Sequence, residues 1–277
     1  MKSLFRLLIW LLIATQFAIS AGAQPLPSRD IAQDILEGCD AQAFDFDDYD
    51  LAVKSATTTL MNLGVFSEAE FRGVKIGFCH LRAANGPVAT TSCVDDTILL
   101  DEKYRDDDQR LVRAATLAHE MKHHLQHAQQ RKMYGPGYCN SEHYEKDKTW
   151  METDADKFGD DVAALLFAGR PVEIRNTCEQ ALSVYLETVT PGASIQSFFD
   201  LLEIPALSNA ITPHRSTSKY FRVYARSDDD KGERLDWNGA VDSETRDIGG
   251  KTYRLKNITM ANTARSIGPF VLRLTCR

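Results

Sequence analysis

Between Gln109 and Lys132 the apolar residues Leu111, Ala114, Ala118, Met121 and Leu125 recur at helical spacing, over a stretch far too long for a strand. A helix there must bury its stripe against something, and the sequence supplies a partner. From Thr149 to Ala168 a second stripe is formed by Met151, Ala155, Phe158, Val162 and Leu165. Asp106, Asp107 and Asp108 suit the positive start of the first helix, Gly135, Pro136 and Gly137 terminate it, and Gly169 and Pro171 close the second. The pattern predicts two long helices joined by a polar loop rich in Tyr and His and pressed together along their apolar faces.

The texture changes on either side. Asp30 to Leu63 is mostly helical in pattern, with the acids Asp45, Asp47, Asp48 and Asp50 between two helix candidates. Lacking the glycine and terminal glutamate of a calcium loop, this cluster reads as a solvated turn. Val74 to Cys79 and Thr97 to Asp101 are short apolar runs on either side of a loop containing Asn85-Gly86-Pro87, and they read as paired strands. Beyond Pro171, β-branched and aromatic residues alternate in short runs. Strands are expected at 172–174, 181–186, 220–224, 251–255 and 270–274, and one helix at Ser194 to Leu202. The fold class expected is α+β: a helical domain with a small strand pair at 24–170, then a mainly antiparallel β module at 171–277.

Residues 1–23 have the grammar of a secretory leader. Lys2 and Arg6 precede an apolar run from Leu7 to Ile19, and Ala21-Gly22-Ala23 offers a cleavage site. The run is shorter than the roughly 20 residues a membrane-spanning helix needs, which argues for cleavage and a secreted or periplasmic product with no stable membrane insertion. Cysteine usage agrees with that address. All six cysteines follow the leader and no CxxC pair occurs, so structural disulfides are favoured over metal ligation. The pairing expected is Cys79 with Cys93 across a short excursion, Cys178 with Cys276 at the ends of the last third, and Cys39 with Cys139 by elimination. The net charge is −7, more negative still once Lys2 and Arg6 leave with the leader, which excludes a nucleic-acid binder reliant on a basic surface.

The chemistry lies on the two helices. His119-Glu120-Met121-Lys122-His123 is an HExxH sequence in the middle of the first. Four residues apart, two imidazoles share a helix face and can grip one ion, with Glu120 one step round. A catalytic zinc needs a third protein ligand and an open position. Glu152 and Asp156, four apart on the second helix, can divide the remaining work, one carboxylate binding the ion and the other orienting a ligand histidine. Gly159, nearly a turn further on, reads either as a place for close helix approach or as an accidental helix-interior glycine.

HExxH at 119–123 followed by ExxxD at 152–156, on two helices, resembles the gluzincin class of zinc metallopeptidases and its bacterial exported members. The resemblance covers roughly residues 95 to 168. It implies a zincin-like domain with one Zn2+ held by His119, His123 and Glu152, Glu120 as general base, and Asp156 as the group that orients a ligand histidine. The interval from His123 to Glu152 is longer than that of thermolysin, and Gln126 and Gln129 stand where a metzincin needs glycine and its third histidine. His127 lies two turns, about 12 Å, beyond His119 and is expected at the surface with His124. Tyr134, Tyr138, His143 and Tyr144, between the helices, are the candidates for an oxyanion donor. The expected function is zinc-dependent endopeptidase activity on a peptide or protein substrate. The alternative is an exported binding or adaptor protein with an idle zinc site, whose β module binds a protein or wall component.

Overall fold

The computed structural model describes residues 39–43, 50–81, 89–189, 197–227, 236–237, 244–248, 250–260 and 267–276. The leader expected at 1–23, the acids Asp45, Asp47 and Asp48, and the Asn85-Gly86-Pro87 loop lie outside the described residues. The molecule is α+β.

Four strands, β1 (Asp40–Ala43), β2 (Lys75–Cys79), β3 (Ala89–Thr91) and β4 (Thr97–Asp101), form a sheet in the order β1-β2-β4-β3. The predicted pair of strands is present, and the two run parallel, Lys75 opposite Thr97 and Cys79 opposite Asp101, with β3 antiparallel at the edge. Helix α1 (Leu51–Asn62) is capped by Asp50, whose carboxylate accepts from the amides of Ala52 and Val53. A short helix, α2 (Glu68–Phe71), leads into β2.

Helix α3 (Arg110–Tyr134) and helix α4 (Glu142–Ala168) are the two long helices. Ala114, Leu117, Ala118 and Met121 of α3 share a core with Leu60 of α1, Ile98 and Leu100 of β4, and Phe158, Val162 and Leu165 of α4. The aspartate triplet does not cap α3: Asp107–Gln109 is a 3-10 turn, and neither Asp106 nor Gln109 makes a side-chain cap bond. The fully buried Arg113 holds this lead-in instead, donating to the carbonyls of Tyr104 (2.5 Å), Arg105 (3.1 Å) and Asp106 (3.0 Å). Helix α4 begins seven residues before the expected Thr149, because Ser141 supplies an N-cap and Glu142 and Glu145 fill the first turn.

The remaining strands are β5 (Arg170–Asn176), β6 (Leu182–Val189), β7 (Ser197–Ile204), β8 (Ser208–Ser216), β9 (Tyr220–Ser227), β10 (Asp236–Trp237), β11 (Thr245–Ile248), β12 (Lys251–Arg254), β13 (Lys256–Thr259) and β14 (Phe270–Leu274). One sheet is built on β7, β6 and β9, with β10 and β13 both on the far edge of β9; another has the order β14-β5-β8. Alternate residues of both sheets share one core, among them Val172, Ile174, Val184, Leu186, Phe221, Val223, Phe270 and Leu272. The module is mainly antiparallel, as expected, although β14 runs parallel to β5.

Asp40–Ala43, inside the stretch expected to be mostly helical, is a strand, held antiparallel to β2. Of the helix expected from Ser194 to Leu202, residues 194–196 lie outside the described residues and the described part is a strand: Ser197–Ile204 pairs with β6, Leu182 opposite Ile204. Its Phe-Phe-x-Leu-Leu run fits helical spacing as well as strand alternation, and pairing across the sheet decides. Of the disulfides, only Cys178–Cys276 is as predicted. The others are Cys39–Cys79 and Cys93–Cys139, not Cys79–Cys93 and Cys39–Cys139. Cys79 sits at the end of β2 beside Asp101, whereas Cys93 follows β3 at the opposite end of the sheet, near Thr97. Asp40 pairs with Phe78, which brings Cys39 to Cys79. Three disulfides fit an oxidising compartment. Among the described residues no helix is long and apolar enough to cross a membrane.

Candidate metal centre

Helices α3 and α4 pack antiparallel, so that residues rising along one meet residues falling along the other: His119 meets Asp156 and Gly159, and His123 meets Glu152. A Cβ on Gly159 would lie 3.2 Å from that of His119, so the glycine gives the ligand helix its room. Three donor atoms converge across this seam. His119 Nε2 and His123 Nε2 are 3.1 Å apart, and Glu152 Oε2 is 3.2 Å from the second and 3.9 Å from the first. Zinc bonds of 2.0–2.1 Å at tetrahedral angles separate neighbouring ligand atoms by about 3.3 Å, so the triangle is of the size a single zinc requires. The Glu152 side chain is 55% exposed, which leaves the seam open to solvent on that side.

The opposite ring nitrogens are also provided for. His119 Nδ1 is 3.4 Å from Asp156 Oδ1. His123 Nδ1 is 3.1 Å from the Gln126 side-chain oxygen. The Gln126 amide donates to the Met151 carbonyl (3.2 Å) and to Asp154 Oδ2 (2.9 Å), which commits its oxygen to accepting. With His123 Nδ1 bonded to Gln126 and His119 Nδ1 facing the Asp156 carboxylate, both Nε2 atoms are turned to the gap, as metal ligation demands. The donor set and its second layer therefore fit zinc. Gln126 was not singled out by the sequence, although it lies three residues past His123 on the same helix face.

Glu120 is buried, 5% exposed. Burial pushes its carboxyl up from the ordinary range, while His119, His123 and a hydrogen bond from Thr91 pull it down. Burial also disfavours protonation of His123, yet its bond to Glu152 and the charges of Glu120 and Glu152 carry it above the usual histidine value. The His123 contact holds Glu152 below the usual carboxylate range, against the effect of burial. Proton and metal would thus compete for the same gap.

His124 and His127 are not the surface residues expected. His124 Nδ1 lies 3.2 Å from Asp96, which also accepts from Arg131 at 2.5 Å, so helix α3 is tied to the β3–β4 turn. His127 is 4% exposed, stacked on His123 and edge-on to Tyr144. Burial and then its cationic neighbours lower it to about 3. Besides Arg113, the buried polar residues of α3, Glu120, His123, Gln126, His127 and Gln130, fall on a face that apolar spacing alone assigns to solvent.

The four oxyanion candidates separate clearly. Tyr138 is buried and its hydroxyl donates to Asp147 Oδ2 at 2.9 Å. Tyr134 stacks between Tyr138 and His143 and is half exposed. Tyr144 lies against His127 and is close enough to Glu152 for that charge, after burial and Glu145, to raise its hydroxyl. Comparison of the chain with protein-family models, with curated proteins and with solved structures finds no match.

Proposed function

We propose that this chain is a zinc-dependent endopeptidase of a secreted or periplasmic compartment. The observation that supports it is the His119–His123–Glu152 triangle, of zinc dimensions, with both Nδ1 atoms engaged from behind. A zinc ion held by these three residues would bring the pKa of a bound water to about 7 and polarise a peptide carbonyl. Glu120, beside the triangle and shielded from bulk solvent, accepts the proton of the attacking water and returns it to the leaving amine. Its raised proton affinity suits both steps. Asp156 and Gln126 hold the two rings in direction and tautomer. Tyr144 is the donor we assign to the developing oxyanion, because the Tyr138 proton is committed to Asp147 and Tyr134 and His143 are stacked together on the outside.

Purified protein is expected to carry one zinc per chain and to cleave an unfolded protein substrate such as casein. Glu120→Gln should keep the zinc and lose at least 100-fold in kcat. His123→Ala should lose the metal. Metal-free protein refutes the site; zinc-loaded protein in which Glu120→Gln cleaves as well as wild type refutes the general base and favours an idle, binding role.

A further inference from the structure

A carboxylate at the end of a glutamate side chain has a broad terminal torsion and does not hold a direction unaided. Glu120 has help. Thr91, the last residue of edge strand β3, places its hydroxyl 2.6 Å from Glu120 Oε2 and 3.0 Å from the Glu120 carbonyl oxygen. The first is the length of a charge-assisted bond. The second locates the same hydroxyl over the backbone of the residue it serves. Threonine suits the post because branching at Cβ stiffens χ1, so that the hydroxyl is carried by the strand and does not swing.

The strand is itself secured at this point. Thr91 pairs with Ile98 in the neighbouring β4. Two residues on, Cys93 is bonded to Cys139 in the α3–α4 connection, and its carbonyl accepts from Arg131. Arg131 also reaches Asp96, so the turn after β3 is pinned to the helix that carries Glu120. The hydroxyl thus has a fixed place relative to α3, although it comes from a strand 29 residues earlier.

We infer that Thr91 is a positioning residue for the general base: its hydroxyl holds Oε2 of Glu120 and leaves Oε1 as the oxygen presented to the water. This rests on the peptidase reading of the same centre. A hydroxyl serving only to tie strand to helix would affect stability, whereas one that aims a base affects turnover with substrate binding unchanged.

The experiment compares Thr91→Val, which keeps the shape and removes the hydroxyl, with Thr91→Ser, which keeps the hydroxyl. Zinc content, thermal midpoint, KM and kcat are measured for both on the full secreted chain. Thr91→Val is expected to retain zinc and KM within about twofold and to lose roughly 10- to 100-fold in kcat. Thr91→Ser should recover kcat to within about threefold. Adding Thr91→Val to Glu120→Gln should cost little further, because the two groups act as a unit. If Thr91→Val fails to fold, Thr91→Ala makes the same deletion without the added methyl. A folded, zinc-loaded hydroxyl-free variant with wild-type kcat overturns the role of Thr91 alone. An inert, zinc-loaded wild type overturns the peptidase reading and this inference with it.

Discussion

Gln126 shows how much of a metal centre lies behind its ligands. Its amide group donates to Met151 and Asp154 on α4, which turns its oxygen toward His123 Nδ1. Gln126→Leu preserves bulk and removes the acceptor. Zinc affinity, read by competition with a chromophoric chelator at pH 7.5, should fall about 10- to 100-fold, the usual cost of losing such a partner. Unchanged affinity would show that His123 needs no fixed tautomer. The HExxH and ExxxD residues were legible because each pair repeats at four residues, one helical turn. Gln126 carried a fainter version of the same signal. Thr91 carried none, since nothing local in a three-residue edge strand announces a carboxylate 29 residues on.

At the level of the element, helix α3 buries two faces, one apolar and one polar. The polar face has a cost in acid. His127 titrates at about 3 in the folded chain against about 6.5 when unfolded, so over that window the unfolded chain binds a proton the folded one refuses. Its contribution to stability is fully present above about 6.5 and is lost as pH falls toward about 3, on the order of 5 kcal/mol in all. Urea unfolding in EDTA should therefore show a shallower loss between pH 7 and 4.5 for His127→Leu than for wild type; parallel pH profiles would contradict it. The same face explains what sequence reading missed. Periodicity found both long helices from their apolar stripes, yet it gave His124 and His127 to solvent because a buried polar stripe looks like an exposed one. The first turns of α4, Glu142 to Lys148, have no apolar stripe and owe their helix to Ser141. Strand β8 escaped because its residues are mostly polar or small and it contains Pro213, accommodated where its register with β5 shifts.

The whole molecule is joined at Arg170. This residue is fully buried where α4 gives way to β5, just past Gly169, whose positive φ of 73° and lack of space beside Ser216 admit only glycine. Its guanidinium donates to the carbonyls of Leu63 (3.0 Å), Gly64 (3.3 Å) and Gly268 and lies 4.7 Å from the ring centroid of Phe270. The backbone of Lys219 adds a bond to the Asn62 carbonyl. Burial lowers the guanidinium to about 10, still charged at neutral pH. Arg170→Met should destabilise the folded protein by about 3 kcal/mol, because carbonyls on both sides of the junction lose their donor. Chemical unfolding would then separate into two transitions if the helical part and the β module are stable alone, and a loss below about 1 kcal/mol would show that the junction contributes little. The end of α4 at Gly169 was readable from glycine and proline; the clamp beside it was not, since its acceptors lie 98 to 107 residues away. The parallel pairing of β14 with β5, sealed by a disulfide spanning 98 residues, sets an order of assembly. Neighbouring segments suffice for the helical hairpin, whereas the β14–β5 pairing needs a search across most of a hundred residues, so contact order predicts that the ligand cluster forms before the last strand docks.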